Sequence, residues 1–189
     1  MQRSILEKRR LELENTFFAK LNQEKVLSYR NKMAHQQSIS RLSEVTGIQN
    51  EALLEKILEL GISTETLSAL TLYPLVAIAW ADGRVRKSER EAIARAARTS
   101  DISKSDEACE LFEHWLEEKP SEQYMTTWGA YIQALSSELS ATEKDQLKKE
   151  ILSLSQKIAN SAGGLFFDFL GGTSDEEKEL LQQIEQAFN

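Results

Sequence analysis

Residues 72–81 read LYPLVAIAWA, ten positions without a charged side chain. A helix that is apolar on every side belongs in an interior. At ten residues the run is about half the ~20 needed to cross a bilayer. The chain must therefore fold with this segment as a central helix, covered by others. Pro74 suits the first turn of that helix, where its missing N–H is not needed; alternatively it kinks a continuous helix over 63–81. Asp82-Gly83 follows as a tight turn. Ser88 and Glu91 then form an S-x-x-E capping box, predicting a charged amphipathic helix from Ser88 to about Arg98.

The covering elements are helices too. Only 8 Gly and 2 Pro occur in 189 residues, and Leu, Ala, Glu, Lys and Gln dominate. Such a composition favours helix nearly throughout, and the fold class expected is all-α. The net charge of −7 is unevenly placed. Residues 1–45 hold nine Lys and Arg against five Asp and Glu, a net +4; the rest hold 14 against 25, a net −11. An acidic body does not suit nucleic acid. The N-terminus lacks the apolar core of a signal peptide, and the single cysteine, Cys109, has no internal partner. A cytoplasmic protein with no integral membrane segment is expected.

Two domains are predicted: an N-terminal helical arm, residues 1–45, and a helical bundle, residues 46–189. The arm has no Gly or Pro. Leu6, Leu13, Phe17 and Leu21 form one stripe, and Val26, Tyr29 and Met33 another; Arg10, Lys20, Glu24 and Asn31 interrupt the heptads of a long coiled coil. Gly47 suits a helix C-terminus and Asn50 the next N-cap. Gly61 closes that helix. Further starts are expected at Ser63, at Ser103 with Asp106, at Thr142 with Asp145 and at Ser174 with Glu177.

Two segments of the bundle match at a spacing of 54 residues: Ile78, Val85 and Glu89 correspond to Ile132, Leu139 and Glu143. Each reads as helix, short turn with an apolar plug, and capped helix. The first turn also looks like half of an EF-hand loop, with Asp82, Gly83, Val85 and Glu89 at positions five, six, eight and twelve. Ile78 and Trp80 then stand where calcium ligands belong, and two carboxylates fall short of the six to eight oxygens calcium takes. A turn with Glu89 complementing a helix dipole accounts for the same residues.

The string AWADGRVRKSEREAI resembles the A-x-A-D-G-x-(V/I)-x-x-x-E motif of the TerB-like family, named for tellurite resistance B. The resemblance runs over about residues 63–189, including the second turn at LSATE and the ending AGGLFFDFLGGTSDEEKELLQQIEQAF. It implies a bundle of two helix–turn–helix repeats and a non-enzymatic protein-interaction role in a bacterial stress-associated assembly. It also implies, as an alternative, a regulatory protein binding a divalent cation; the resemblance carries this onto Asp82 and Glu89 alone, and Glu143 or Glu138 is a candidate further ligand. Ser136 and Ser137 stand where the second repeat would carry Asp-Gly. In the arm, FFAKLNQEKVLSYRNKMAHQQSISRLSEVTGI is similar to part of the zeta inhibitor subunit of alphaproteobacterial ATP synthase, which implies an ATPase-regulating role.

A catalytic site is not expected. His35 and His114 are distant in sequence, Cys109 and His114 lie about 140° apart on a helix, and the Gly pairs 163–164 and 171–172 lack the strand and Lys of a phosphate loop. Trp80, Trp115 and Trp128 read as core. Candidate partner-binding residues are Leu6, Leu13, Phe17 and Leu21 on the arm, where a second copy would give a homodimer, and Phe166 and Phe167 in the LFFDFL segment.

Overall fold

The computed structural model describes residues 5–98, 100–162 and 175–189. Among them the protein is all-α, with no strand. The chain divides into two units, residues 1–40 and 41–189. Helix α1, Ile5–Thr46, begins in the first unit and ends in the second. Phe166 and Phe167 lie outside the described residues, as does Ser174.

In the first unit α1 exposes its large apolar side chains. Leu13, Phe17, Phe18, Val26, Leu27, Tyr29 and Met33 are between 49% and 75% exposed, and Leu21 is half-buried.

The second unit holds α2 (Glu51–Glu59), α3 (Leu67–Thr71), α4 (Tyr73–Ala79), α5 (Lys87–Arg98), α6 (Asp106–Glu117), α7 (Gln123–Glu138), α8 (Ala141–Ala162) and α9 (Asp175–Gln186). A 3-10 turn, Asp101–Lys104, precedes α6. The apolar run is the central element. Helix α4 packs against α5, α6, α7, α8 and α9, and Leu75, Val76 and Ala79 are wholly buried. Pro74 sits in its first turn, and α3 and α4 are separate helices. Beside α4, Tyr73 stacks on Tyr124 and meets Trp115 edge-on, and Phe112 completes the cluster. Burial, and secondarily Tyr124, pushes the Tyr73 phenol up to about 12.

Several helix ends follow the sequence. Asn50 caps α2, its Oδ1 accepting from the Leu53 N–H at 3.2 Å. Gly47 and Gly61 take the left-handed conformation, both at φ 76°. At Gly61 the Ile62 N–H reaches back to the Ile57 carbonyl at 3.2 Å, and a Cβ there would meet nothing within 4 Å. Gly61→Ala therefore has a conformational cost alone, and a loss of roughly 1–2 kcal/mol is expected in urea unfolding. A variant as stable as the parent would rule out that backbone geometry.

Three starts lie elsewhere than expected, each shifted to an earlier or later candidate. Helix α5 begins at Lys87, with Glu89 reaching back rather than Glu91. Helix α6 is capped by Ser105, whose Oγ accepts from the Ala108 N–H at 3.1 Å, not by Ser103. Helix α8 is capped by Ser140 with Glu143, not by Thr142 with Asp145. Ser63 does not start a helix; its N–H is taken by Thr66 Oγ1 at 2.9 Å, and α3 begins at Leu67.

Candidate functional site

The strongest concentration of charge and hydrogen bonding is the turn between α4 and α5. Gly83, at φ 84°, permits the reversal, and its N–H donates to the Trp80 carbonyl at 2.9 Å. Asp82 closes an Asx turn by accepting from the Arg84 N–H at 3.2 Å. The chain then presents Arg86 between two carboxylates. Its guanidinium pairs with Asp82, four residues back, and stands 3.9 Å from Glu89 Oε1, three residues on. Glu89 Oε2 also accepts from the Arg86 N–H at 2.6 Å, one of the donors a helix start leaves unmet.

Glu89 is 1% exposed, which sets it apart from Asp82. Burial raises its pKa; the hydrogen bond from the Arg86 backbone and the Arg86 charge oppose this, and Asp82 and Glu177 add to it. Glu177, on α9, is buried as well. Glu177 lies in the first turn of α9, near enough that its charge works against the ionised form of Glu89.

The same segment holds α6. Trp80 Nε1 donates to the Trp115 carbonyl at 2.8 Å, and Arg90 donates to the Leu116 carbonyl at 2.7 Å. Both carbonyls belong to the last turn of α6, where no intrahelical donor remains. Trp80 and Arg90 are therefore side-chain caps on a helix distant in sequence, and neither role is legible from spacing. Arg86 had a signal: it lies four residues after one carboxylate and three before another, the spacing of paired charges on one helical face.

No protein-family model, curated protein or solved structure matches the chain. What the turn does is therefore read from its own geometry. The second repeat supplies an internal comparison. Residues 86 and 140, and 89 and 143, share the spacing of 54. Glu143 accepts from the Ser140 N–H at 2.9 Å, as Glu89 does from Arg86. Ile78 and Ile132 are both buried, and α5 and α8 begin at residues 87 and 141. The two carboxylates differ in surroundings. Glu143 is exposed, and its hydrogen bonds from Ser140 lower its pKa. Glu89 is buried and its pKa is raised.

For a cation site, the chemistry of the donor set is decisive. Asp82 and Glu89 converge, but on a guanidinium that already supplies the positive charge between them. Glu143 spends its Oε2 on the backbone and hydroxyl of Ser140. Among the described residues no group of three His, Cys, Asp or Glu side chains is placed to hold a metal ion. Cys109 is half-buried with Sγ 3.4 Å from the Ile102 carbonyl; burial, then Asp106 and Glu113, raise its pKa away from thiolate character. His114 is exposed beside Glu118 at 3.9 Å. Trp115 and Trp128 are core, and Trp80 is half-buried.

Of the partner-binding candidates, Leu13 and Phe17 are exposed at 66% and 63% and Leu21 is half-buried. The side chain of Leu6 lies outside those described. No described helix is long and apolar enough to cross a membrane.

Proposed function

We propose that this chain is a non-enzymatic protein-interaction module of the TerB-like kind, acting in the bacterial cytoplasm within a stress-associated, tellurite-resistance-like assembly. One observation carries the interaction reading: seven large apolar side chains of α1, from Leu13 to Met33, stand in solvent. Isolated helices are marginal in water, and a helix that exposes this much apolar surface is stabilised by whatever covers it. The family placement is supported by the ADG turn and by the 54-residue repeat, whose two carboxylates make the same backbone contact. The test is affinity capture from the host cell with the full chain and with Phe17→Asp/Phe18→Asp. Partners held by the parent and lost from the variant are expected. Identical captured sets, with unchanged helicity, would remove the arm from the interaction.

The divalent-cation reading concerns a different part of the chain and is separable. A metal ion at Asp82 and Glu89 must displace Arg86, the half-buried cation that faces the buried Glu89. Calorimetry with calcium, magnesium, zinc and manganese is expected to show no binding. Micromolar binding lost on Asp82→Ala would instead make the turn a metal site. An ATPase-regulating role through the arm would require the protein to lower ATP hydrolysis by purified ATP synthase.

A further inference from the structure

The second unit carries a groove of about 910 Å³ between α2 and α7. Ala52, Leu53, Leu60, Thr126, Ala130 and Ala134 lie along it. Its lining on α7 runs from Glu122 to Ser137, or ~22 Å at the helical rise. That is the length of four turns of a second helix, and the small side chains of Ala130 and Ala134 let one approach closely. The charges around it are mostly acidic. Glu59 and Glu122 lie in the lining with Lys56, and Glu51 and Glu55 occupy the same helix α2; all five are exposed.

The first unit has the complementary properties. From Leu13 to Met33 the exposed basic residues are Lys20, Lys25, Arg30 and Lys32, against Glu14 and Glu24. Its apolar residues do not share one face. Leu13 and Phe17 point roughly 170° away from Val26, Tyr29 and Met33. A flat surface such as a bilayer covers one side of a helix and needs a single apolar face. A groove between two helices meets an inserted helix on two sides.

We propose that the arm of one copy, through about four turns within Leu13–Met33, lies in the α2–α7 groove of a second copy, giving a reciprocal dimer. This rests on the interaction reading and names the partner. Opposite charge brings the two surfaces together: residues 13–33, with four basic and two acidic side chains, meet a body of net −11. The alanine floor and the apolar arm then exclude water.

Sedimentation of the full chain at low and high salt tests it, with two variants. Phe17→Asp disables the arm and Ala134→Arg blocks the groove; circular dichroism checks that both keep their helicity. The parent is expected to be a dimer that weakens with salt. Each variant alone should raise the dimer dissociation constant by about tenfold or more, the loss of one well-packed contact in each arm. Mixing the two variants should restore part of the association, because one of the two contacts then joins an intact arm to an intact groove. A parent that is monomeric at tens of micromolar overturns the proposal. So does a dimer indifferent to Ala134→Arg, which would place arm against arm. Neither result decides the wider interaction reading, which stands or falls on the capture experiment with Phe17→Asp/Phe18→Asp.

Discussion

Trp128→Ala is expected to lower the unfolding free energy by about 3–5 kcal/mol. The indole is wholly buried in α7. Its Nε1 donates to the Thr71 carbonyl at 3.2 Å, at the end of α3, and its ring meets Phe188 edge-on with centroids 6.3 Å apart. One side chain therefore joins α7, α3 and the C-terminal residues. Removing it leaves a cavity and takes the indole donor from the Thr71 carbonyl. Trp128→Phe keeps a six-membered ring and loses the donor with a smaller part of the buried volume, so a smaller loss of about 1–2 kcal/mol is expected. Urea unfolding followed by circular dichroism measures both. Equal losses for the two variants would show that the hydrogen bond, not the volume, matters; a loss under about 1 kcal/mol for Trp128→Ala would contradict the packing itself.

Glu89 gives the second large effect, and it depends on pH. Glu89→Ala leaves the Arg86 N–H without its 2.6 Å acceptor and removes a charge facing the Arg86 guanidinium. A loss of about 2–3 kcal/mol at neutral pH is expected. Glu89→Gln keeps an acceptor and removes the ionisation, so its loss should be smaller. The sign of the pH effect follows from the raised pKa. The folded protein holds the Glu89 proton more tightly than the unfolded chain, whose value is near 4.5. The contribution of this group is therefore fully present below the unfolded value and declines as pH rises through the folded one. Relative to Glu89→Gln, the parent should gain stability as pH falls through that window and show a constant difference above it. Urea unfolding of both proteins at several pH values reads this difference directly. Glu143 has the opposite sign, because Ser140 lowers its pKa: relative to Glu143→Gln, its contribution is present above the ordinary carboxylate range and is lost as pH falls. If the Glu89 difference instead shrank on acidification, ion pairing with Arg86 would outweigh burial.

A metal-binding role for the same turn would appear differently. Glu89→Gln would then abolish cation binding while leaving stability without cation little changed. The turn as folded is a mechanical joint. Arg86 bridges Asp82 and Glu89, Glu89 secures the start of α5, and Trp80 and Arg90 close the end of α6. Its residues are occupied with one another.

Local chemistry determined much of this protein. The run over 72–81 is too apolar to lie on a surface and too short to span a bilayer, so it had to be the central helix, and α4 is. Gly47, Gly61 and Gly83 sit where only a left-handed residue fits, and Asn50 caps α2, because these are interactions within a few residues of chain. The 54-residue spacing of Glu89 and Glu143 likewise survives in matching backbone contacts. Tertiary structure decided the rest. Ser88, Ser103 and Thr142 each begin a plausible capping box, yet the helices start at residues 87, 106 and 141. Overlapping caps differ by little in local free energy, and the register that buries Glu89, Ala108 and Ile151 prevails. Trp80 and Arg90 find the end of α6 only when the bundle closes. The two repeats share a sequence spacing, but one carboxylate is buried and the other faces water. Proximity across distant segments sets that difference in solvation, and with it the opposite pKa shifts of Glu89 and Glu143.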